Sequence, residues 1–141
     1  NPEPEYRVIQ PHTVVHNGLR WHVRAWCEKN SGYRDFVLSR IQDEPDISLA
    51  GEHGPEQDTA WQQTLTLDII PDPRLSPAQQ AVISRDYGMT SGVLAVTCRA
   101  AMANYIVQLL RLDDQNHREA IAQQVVLGNR KTIQKWLWED S

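Results

Sequence analysis

The sequence predicts an α+β protein, in which a small β-barrel of the Sm-like or SH3-like kind precedes a compact lobe ordered strand, helix, strand, helix. Three observations lead to this class. Apolar and polar side chains alternate over residues 6–41, around turn signals at Asn17-Gly18 and 29–32. An acidic stretch with two glycines and two prolines follows at residues 42–60. After this stretch, the spacing of apolar residues alternates between the two-residue repeat of a strand and the 3.6-residue repeat of a helix.

The chain opens on a polar, proline-rich stretch that begins with asparagine, which we interpret as a linker within a longer protein. Weak alternation then predicts a short strand over 6–10. Pro11 is expected to close this strand, because proline cannot donate to a ladder of backbone hydrogen bonds. Residues 13–16 are rich in β-branched side chains and are predicted to be extended.

The Asn17-Gly18 turn leads into a strand over 19–27, and a return strand is predicted over 33–41. Alternation predicts an apolar and a polar face for the first of these strands, with Leu19, Trp21, Val23, Ala25 and Cys27 opposite Arg20, His22, Arg24 and Trp26. On the return strand it predicts one face with Arg34, Phe36, Leu38 and Arg40, and another with Tyr33, Asp35, Val37 and Ser39.

Residues 42–60 are interpreted mainly as a linker, with a short strand possible at 47–50. We therefore predict a first domain over residues 1–52 and a second over 60–141.

The second domain is predicted from the residues that begin and end its helices and strands. A strand over 63–70 is broken by Pro71-Asp72-Pro73, and a helix over 77–86 begins after Ser76 and ends at Gly88. The remaining predicted elements are a strand over 92–99, a helix over 100–112, a short strand or helix over 122–127 and a last helix over 129–138. The run Trp136-Leu137-Trp138 is expected either to close the core or to form an exposed interface.

Bulk properties exclude several classes. With 40% hydrophobic and 23% charged residues, the 141-residue chain is globular, and its net charge of -4 argues against duplex DNA binding by the chain as a whole. Cys27 and Cys98 lack metal-ligand spacing and indicate free thiols in a reducing cytoplasm. No apolar run reaches the length of about 20 residues that a membrane helix needs.

The predicted hairpin concentrates basic and aromatic side chains. Alternation places Arg20, His22 and Arg24 on one face, and we expect the return strand to add Arg34 and Arg40 with Phe36 between them. Guanidinium groups suit phosphate and aromatic rings suit bases, so this pattern fits a nucleotide or a short single-stranded nucleic acid. The alternative is an ordinary charged, solvated strand face.

Catalysis and metal binding are less favoured. His12, His16 and His22 could hold zinc, but they lack tight spacing on one element, and histidines lining a ligand pocket fit the pattern better. No catalytic motif flanks the serines or cysteines. We therefore expect no enzyme, no metal and no cofactor.

The hairpin resembles the WYL domain of bacterial transcription regulators in two runs, GLRWHVRA at 18–25 and YRDFVLSRI at 33–41. That family is named for a Trp-Tyr-Leu run, where this chain has Trp21-His22-Val23, a form similar to the branch associated with phage-defence loci. The second lobe is similar to the C-terminal extension of such regulators in LSPAQQ at 75–80, DYGM at 86–89 and LGN at 127–129.

The resemblance implies an Sm-like barrel, a homodimer built through the C-terminal extension, and promoter binding by an N-terminal winged helix-turn-helix that this chain does not contain. It also implies that a nucleic-acid-derived ligand binds the WYL pocket and changes DNA affinity. Carried over residue by residue, the implied ligand-binding residues are Trp21, His22, Arg24, Arg34, Phe36, Ser39 and Arg40.

Two alternatives to this reading stay open. The same barrel could bind RNA or single-stranded DNA constitutively, which predicts strong, salt-dependent binding. Alternatively, the chain could be a purely structural dimerisation unit, in which the arginines form salt bridges with the acidic linker.

Overall fold

A computed structural model describes residues 5–42, 51–113 and 117–138 of the chain. The chain divides into two compact units, Asn1–Gln62 and Gln63–Ser141. The α+β class is confirmed, with one three-stranded antiparallel sheet in each unit. Among the described residues the first sheet is open rather than a closed barrel. The strand expected at 47–50 lies outside the described residues.

The first sheet has the order β1-β2-β3, with β1 at Ile9–His16, β2 at Trp21–Cys27 and β3 at Gly32–Val37. The prediction that Pro11 closes a strand was wrong. Pro11 lies inside β1, and the register shifts between Pro11 and Thr13. Such a bulge lets a proline occupy an edge strand, because its missing N–H does not interrupt a central ladder.

The return strand is also shorter than predicted. β3 ends at Val37, and Leu38–Arg40 form one turn of 3-10 helix. Alternation of side chains over 38–41 therefore does not continue the strand face, since a 3-10 turn rotates successive side chains by about a third of a circle.

The first unit extends to Gln62 and so includes residues 51–62, of which 51–60 were interpreted from the sequence mainly as linker. They contain a 3-10 turn at Pro55–Gln57 and a one-turn helix, α1, at Thr59–Gln62. Glycine and proline interrupted long elements here, but they did not prevent the segment from packing against the first sheet. We call residues 51–62 the strap.

The second unit follows the predicted order closely. Its sheet has the order β5-β4-β6, formed by β4 at Thr64–Pro71, β5 at Leu94–Arg99 and β6 at Val125–Leu127. The helices are α2 at Pro77–Asp86, α3 at Ala100–Leu109, α4 at Ala120–Gln123 and α5 at Arg130–Ile133, with a 3-10 turn at Gln134–Trp136.

One hydrophobic core holds the second unit together. It contains buried aliphatic side chains from β4, both long helices, β6 and the C-terminal turns, among them Leu67, Ile69, Ile83, Val107 and Leu137. In the terminal run Trp136-Leu137-Trp138, one side chain lies in the core and another is exposed. Leu137 is buried in this core, whereas Trp138 is 51% exposed and its ring lies edge-on to Tyr105.

Candidate functional site

A buried polar cluster in the first unit surrounds Arg24. This residue lies on the central strand, and its guanidinium is bound bidentately by Asp58 of the strap, with distances of 2.7 Å from Nε to Oδ2 and 3.0 Å from Nη2 to Oδ1. Nε2 of His12 lies 3.0 Å from Oδ2 of the same carboxylate. All three side chains are almost completely buried.

A second carboxylate lies on the same face. Arg24 pairs with Asp35 in the register of β2 and β3, and the Arg24 Nη1 atom lies 3.4 Å from Oδ1 of Asp35. The same oxygen is 3.4 Å from Nε2 of His22. Arg24 is therefore shared between two acidic side chains, and its charge is compensated inside the first unit.

These contacts control the protonation of the cluster. Burial would raise the pKa of Asp58, but the hydrogen bonds from Arg24 and His12 outweigh it and hold that pKa below its ordinary value. Burial lowers the pKa of His22, and the nearby charge of Arg24 acts in the same direction against the opposing effect of Asp35. The cluster consequently favours an ionised Asp58 on one side of Arg24 and a neutral His22 near Asp35.

The strap covers this face with aromatic and polar contacts. The His53 imidazole stacks on the indole of Trp26, with ring centroids 3.9 Å apart and planes 4° from parallel. The hydroxyl of Tyr33 donates to the backbone carbonyl of Gly54 at 2.8 Å. The His12 ring lies edge-on to Tyr33 and to Trp61. The Arg24 face is thus closed by residues of its own chain.

The predicted grouping of arginines on one face was wrong. Because Phe36 pairs with Val23 and Arg34 with Ala25, these two residues lie on the face opposite Arg24. The alternation within each strand was read correctly, but sequence alone does not give the register between strands. A shift of one residue in the pairing of β2 with β3 would have placed Arg34 and Phe36 on the same face as Arg24.

Of the remaining predicted residues, Trp21 lies on the Phe36 face, and Ser39 and Arg40 follow the end of β3. Trp21 shares the Val23 face of β2, is 55% exposed, and makes an edge-on contact with His16. Ser39 and Arg40 are exposed on the 3-10 turn that follows β3. We call the exposed or half-buried set Trp21, Arg34, Phe36, Ser39 and Arg40 the outer surface. Its members stand apart from the buried pair His22 and Arg24.

Sequence reasoning missed Asp58 and His53. Asp58 accepts a hydrogen bond from the backbone N–H of Trp61, so an aspartate directly before a short helical turn, in the N-cap position, was the available signal. Salt bridges between the arginines and the acidic linker were one of the alternatives, but no sequence signal singled out Asp58 as the partner of Arg24, thirty-four positions earlier.

The three histidines considered as zinc ligands have separate partners, since His12 contacts Asp58, His16 contacts Trp21, and His22 lies beside Asp35. Within the described ranges, no group of three potential ligands is arranged to hold a metal ion. In the same ranges, no helix has both the length and the apolar character needed to cross a membrane.

Comparison with known proteins gives a match for each unit. The WYL domain family matches residues 1–44, and the family described as "BrxR transcriptional regulator, C-terminal dimerization domain" matches residues 64–133. The chain therefore belongs to the WYL-domain regulators that carry the BrxR C-terminal dimerization domain.

Comparison with individual curated proteins gives more specific matches than the two domain families. The chain is 37% identical over 140 residues to the DNA-binding transcriptional repressor CapW of Stenotrophomonas maltophilia, an alignment that covers 99% of this chain and 47% of that protein. It is 38% identical over 139 residues to CapW of Escherichia coli strain KTE188, and 37% identical over 134 residues to CapW of Pseudomonas aeruginosa. Each of these two alignments covers 94% of this chain and 44% of the relative. The chain thus spans just under half the length of the curated relatives it matches.

Proposed function

We propose that this chain is the effector-sensing and dimerisation region of a cytoplasmic, non-enzymatic transcriptional repressor. The observation that carries the proposal is the alignment of nearly the whole chain with proteins named as DNA-binding transcriptional repressors. In this proposal the second unit joins two subunits, and a DNA-binding domain elsewhere in the longer protein contacts the promoter. The first sheet forms part of the Sm-like barrel of the WYL family.

The effector is a nucleotide or a short single-stranded nucleic acid, and the outer surface is its binding site. Support comes from the chemistry of that surface. Trp21 and Phe36 offer rings on one sheet face, and the exposed guanidinium groups of Arg34 and Arg40 suit phosphate. Ser39 adds a hydroxyl beside Arg40.

Control of DNA binding follows from a shift in population. A ligand that binds one arrangement of the dimer more tightly favours that arrangement by the difference in binding free energy. In a dimeric repressor, this changes the spacing of the two DNA-binding domains relative to the operator half-sites.

Titration of the chain with single-stranded oligonucleotides and cyclic nucleotides tests the ligand assignment. Arg40→Ala is expected to weaken binding about tenfold or more, because a charge-assisted hydrogen bond to phosphate is lost. Arg85→Ala is the matched control, since Arg85 is an exposed arginine at the end of α2 in the second unit. Equal affinity of the wild type and Arg40→Ala would reject the outer surface as the site.

A purely structural dimerisation unit is the second candidate, and one observation favours it. Arg24 is bound bidentately by Asp58, which lies in the stretch first interpreted as an acidic linker. This candidate predicts a stable dimer that binds no nucleotide. A constitutive nucleic-acid binder would instead bind oligonucleotides with an affinity that falls steeply with salt and that no effector changes.

A further inference from the structure

The strap is held to the first sheet by contacts unlike those of a hydrophobic core. Asp58 is the only buried residue within 51–62. The other contacts include the His53 stack on Trp26, the edge-on contact of Trp61 with His12, and hydrogen bonds such as those from Tyr33 to Gly54 and from the His53 backbone N–H to Gln10. Few buried apolar atoms stabilise the closed strap, which is the profile of a segment that opens locally.

The two main contacts reproduce the functional groups of a nucleotide. A carboxylate that accepts two parallel hydrogen bonds from a guanidinium occupies the place that a phosphate takes in arginine recognition. A flat imidazole stacked on an indole occupies the place of a base on an aromatic platform. Arg24 and Trp26 are two positions apart on one strand, so they lie about 7 Å apart on the same face. A single mononucleotide can span that separation between its base and its phosphate.

We propose that Asp58 and His53 act as an internal pseudo-ligand, so that the face of Arg24 and Trp26 binds a nucleoside monophosphate in competition with the strap. This inference rests on the proposed function for the class of ligand. It concerns the covered face of the sheet, whereas Trp21, Arg34 and Phe36 of the outer surface lie on the other face. Phosphate would displace the Asp58 carboxylate from Arg24, and the base would displace His53 from Trp26.

Competition has two consequences. Only molecules with an open strap can bind the ligand on the covered face. The apparent affinity is therefore the intrinsic affinity multiplied by the fraction of molecules in which the strap is open. In addition, a single residue separates the end of α1 at Gln62 from the start of β4 at Thr64. A displaced strap would add a free segment with a reach of about 40 Å when extended. Ligand binding would thereby change the connection between the sensing unit and the dimerization domain.

The test uses adenosine 5′-monophosphate, with inorganic phosphate and adenosine as separate arms that distinguish the Arg24 fork from the Trp26 stack. Asp58→Ala is expected to bind the monophosphate about tenfold more tightly than the wild type. The gain should disappear in the double variant Asp58→Ala, Arg24→Met. Asp72→Ala is the matched control, because Asp72 forms a similar carboxylate–guanidinium pair with Arg74 in the second unit. It should bind like the wild type.

Two further measurements cover the case in which Asp58→Ala does not fold. His53→Ala keeps the ion pair and is expected to tighten binding about threefold by freeing the Trp26 ring. In the wild type, saturating monophosphate should speed hydrogen exchange at the backbone amides of Asp58, Trp61 and Gln62, which donate within the closed strap.

The outcomes separate this inference from the proposed function. Equal affinity of wild type, His53→Ala and Asp58→Ala, with unchanged exchange in the strap, would overturn the pseudo-ligand and leave the outer surface as the site. Tighter binding by the strap variants with no effect of Arg40→Ala would support the pseudo-ligand and reject the outer surface. Binding by no variant would overturn both.

Discussion

Arg24 keeps its charge inside the first unit because two acidic partners reach it from different directions. Asp35 comes from the neighbouring strand, and Asp58 comes from the strap. Burying a guanidinium costs several kcal/mol unless its hydrogen bonds are made, and here the carboxylates make them. The sequence pattern predicted that Arg24 would contact a ligand, but in the fold its guanidinium is paired with acidic side chains of the same chain.

His22 makes the stability of the chain depend on pH. Burial lowers its pKa from the ordinary value of 6.5, so the unfolded chain binds more protons than the folded one between the two values. The contribution of a neutral His22 to the free energy of unfolding is therefore fully present above about pH 6.5. It is lost as the pH drops from there toward the lower pKa of the folded state. Thermal unfolding followed from pH 8 to pH 5 should show this loss.

The control for this prediction is His22→Gln, which has no titratable group at this position. It should lose the change between pH 6.5 and 5 while keeping the decline at lower pH. That decline is expected because Asp58 and Asp72 both have lowered pKa values and must be protonated there. An unchanged profile in His22→Gln would show that another group is responsible.

At the scale of elements, α2 was predicted with its observed bounds because its ends have strong local signals. The Ser76 hydroxyl accepts from the backbone N–H of Gln79, and the Gln79 side chain accepts from the backbone N–H of Ser76. Gly88 follows with a φ of 63°, a conformation that glycine adopts without strain. Strands of the first sheet were predicted less well, since bulges and 3-10 turns depend on neighbouring strands.

The short strand β6 is extended by a side chain. Beyond Leu127, the Asn129 amide accepts from the backbone N–H of Asp68 at 3.0 Å and donates to the carbonyl of Thr66 at 2.8 Å. Asn129→Ala would leave both β4 groups without these partners and is expected to cost about 1–3 kcal/mol of unfolding free energy. Urea denaturation measures this difference.

Gln108→Ala provides the comparison for Asn129→Ala, because it removes an exposed amide side chain from α3 without changing β4. Its effect should stay within about 0.5 kcal/mol. Similar stabilities for the two variants would mean that the Asn129 bonds contribute nothing.

At the scale of the whole molecule, the second unit is expected to form a homodimer. Its most exposed large apolar side chain in the described ranges is Ile121, at 68%. Because this unit matches a dimerization domain, we expect some of its exposed apolar side chains to lie at the interface between two copies. Light scattering should therefore give twice the mass of one chain, and Ile121→Glu should shift the protein toward the monomer.

Leu19→Glu serves as the reference variant, because Leu19 is exposed in the turn before β2 of the first unit. It should leave the dimer intact. A wild-type monomer at high concentration would contradict the dimer, whereas a dimer unaffected by Ile121→Glu would place the interface elsewhere.

The sequence by itself determined the features that depend on near neighbours: the α+β class, the order of the elements in the second unit with the bounds of α2, the Asn17-Gly18 turn, and the WYL resemblance. Local signals suffice there, because caps, turn residues and apolar periods act within a few positions. Only the tertiary structure decided how the basic residues are distributed. Strand register placed Arg34 and Phe36 on the other face of the sheet from Arg24. The strap closed over the face that carries Arg24. Both depend on contacts between residues distant in sequence, such as Arg24 with Asp58, which no local pattern encodes.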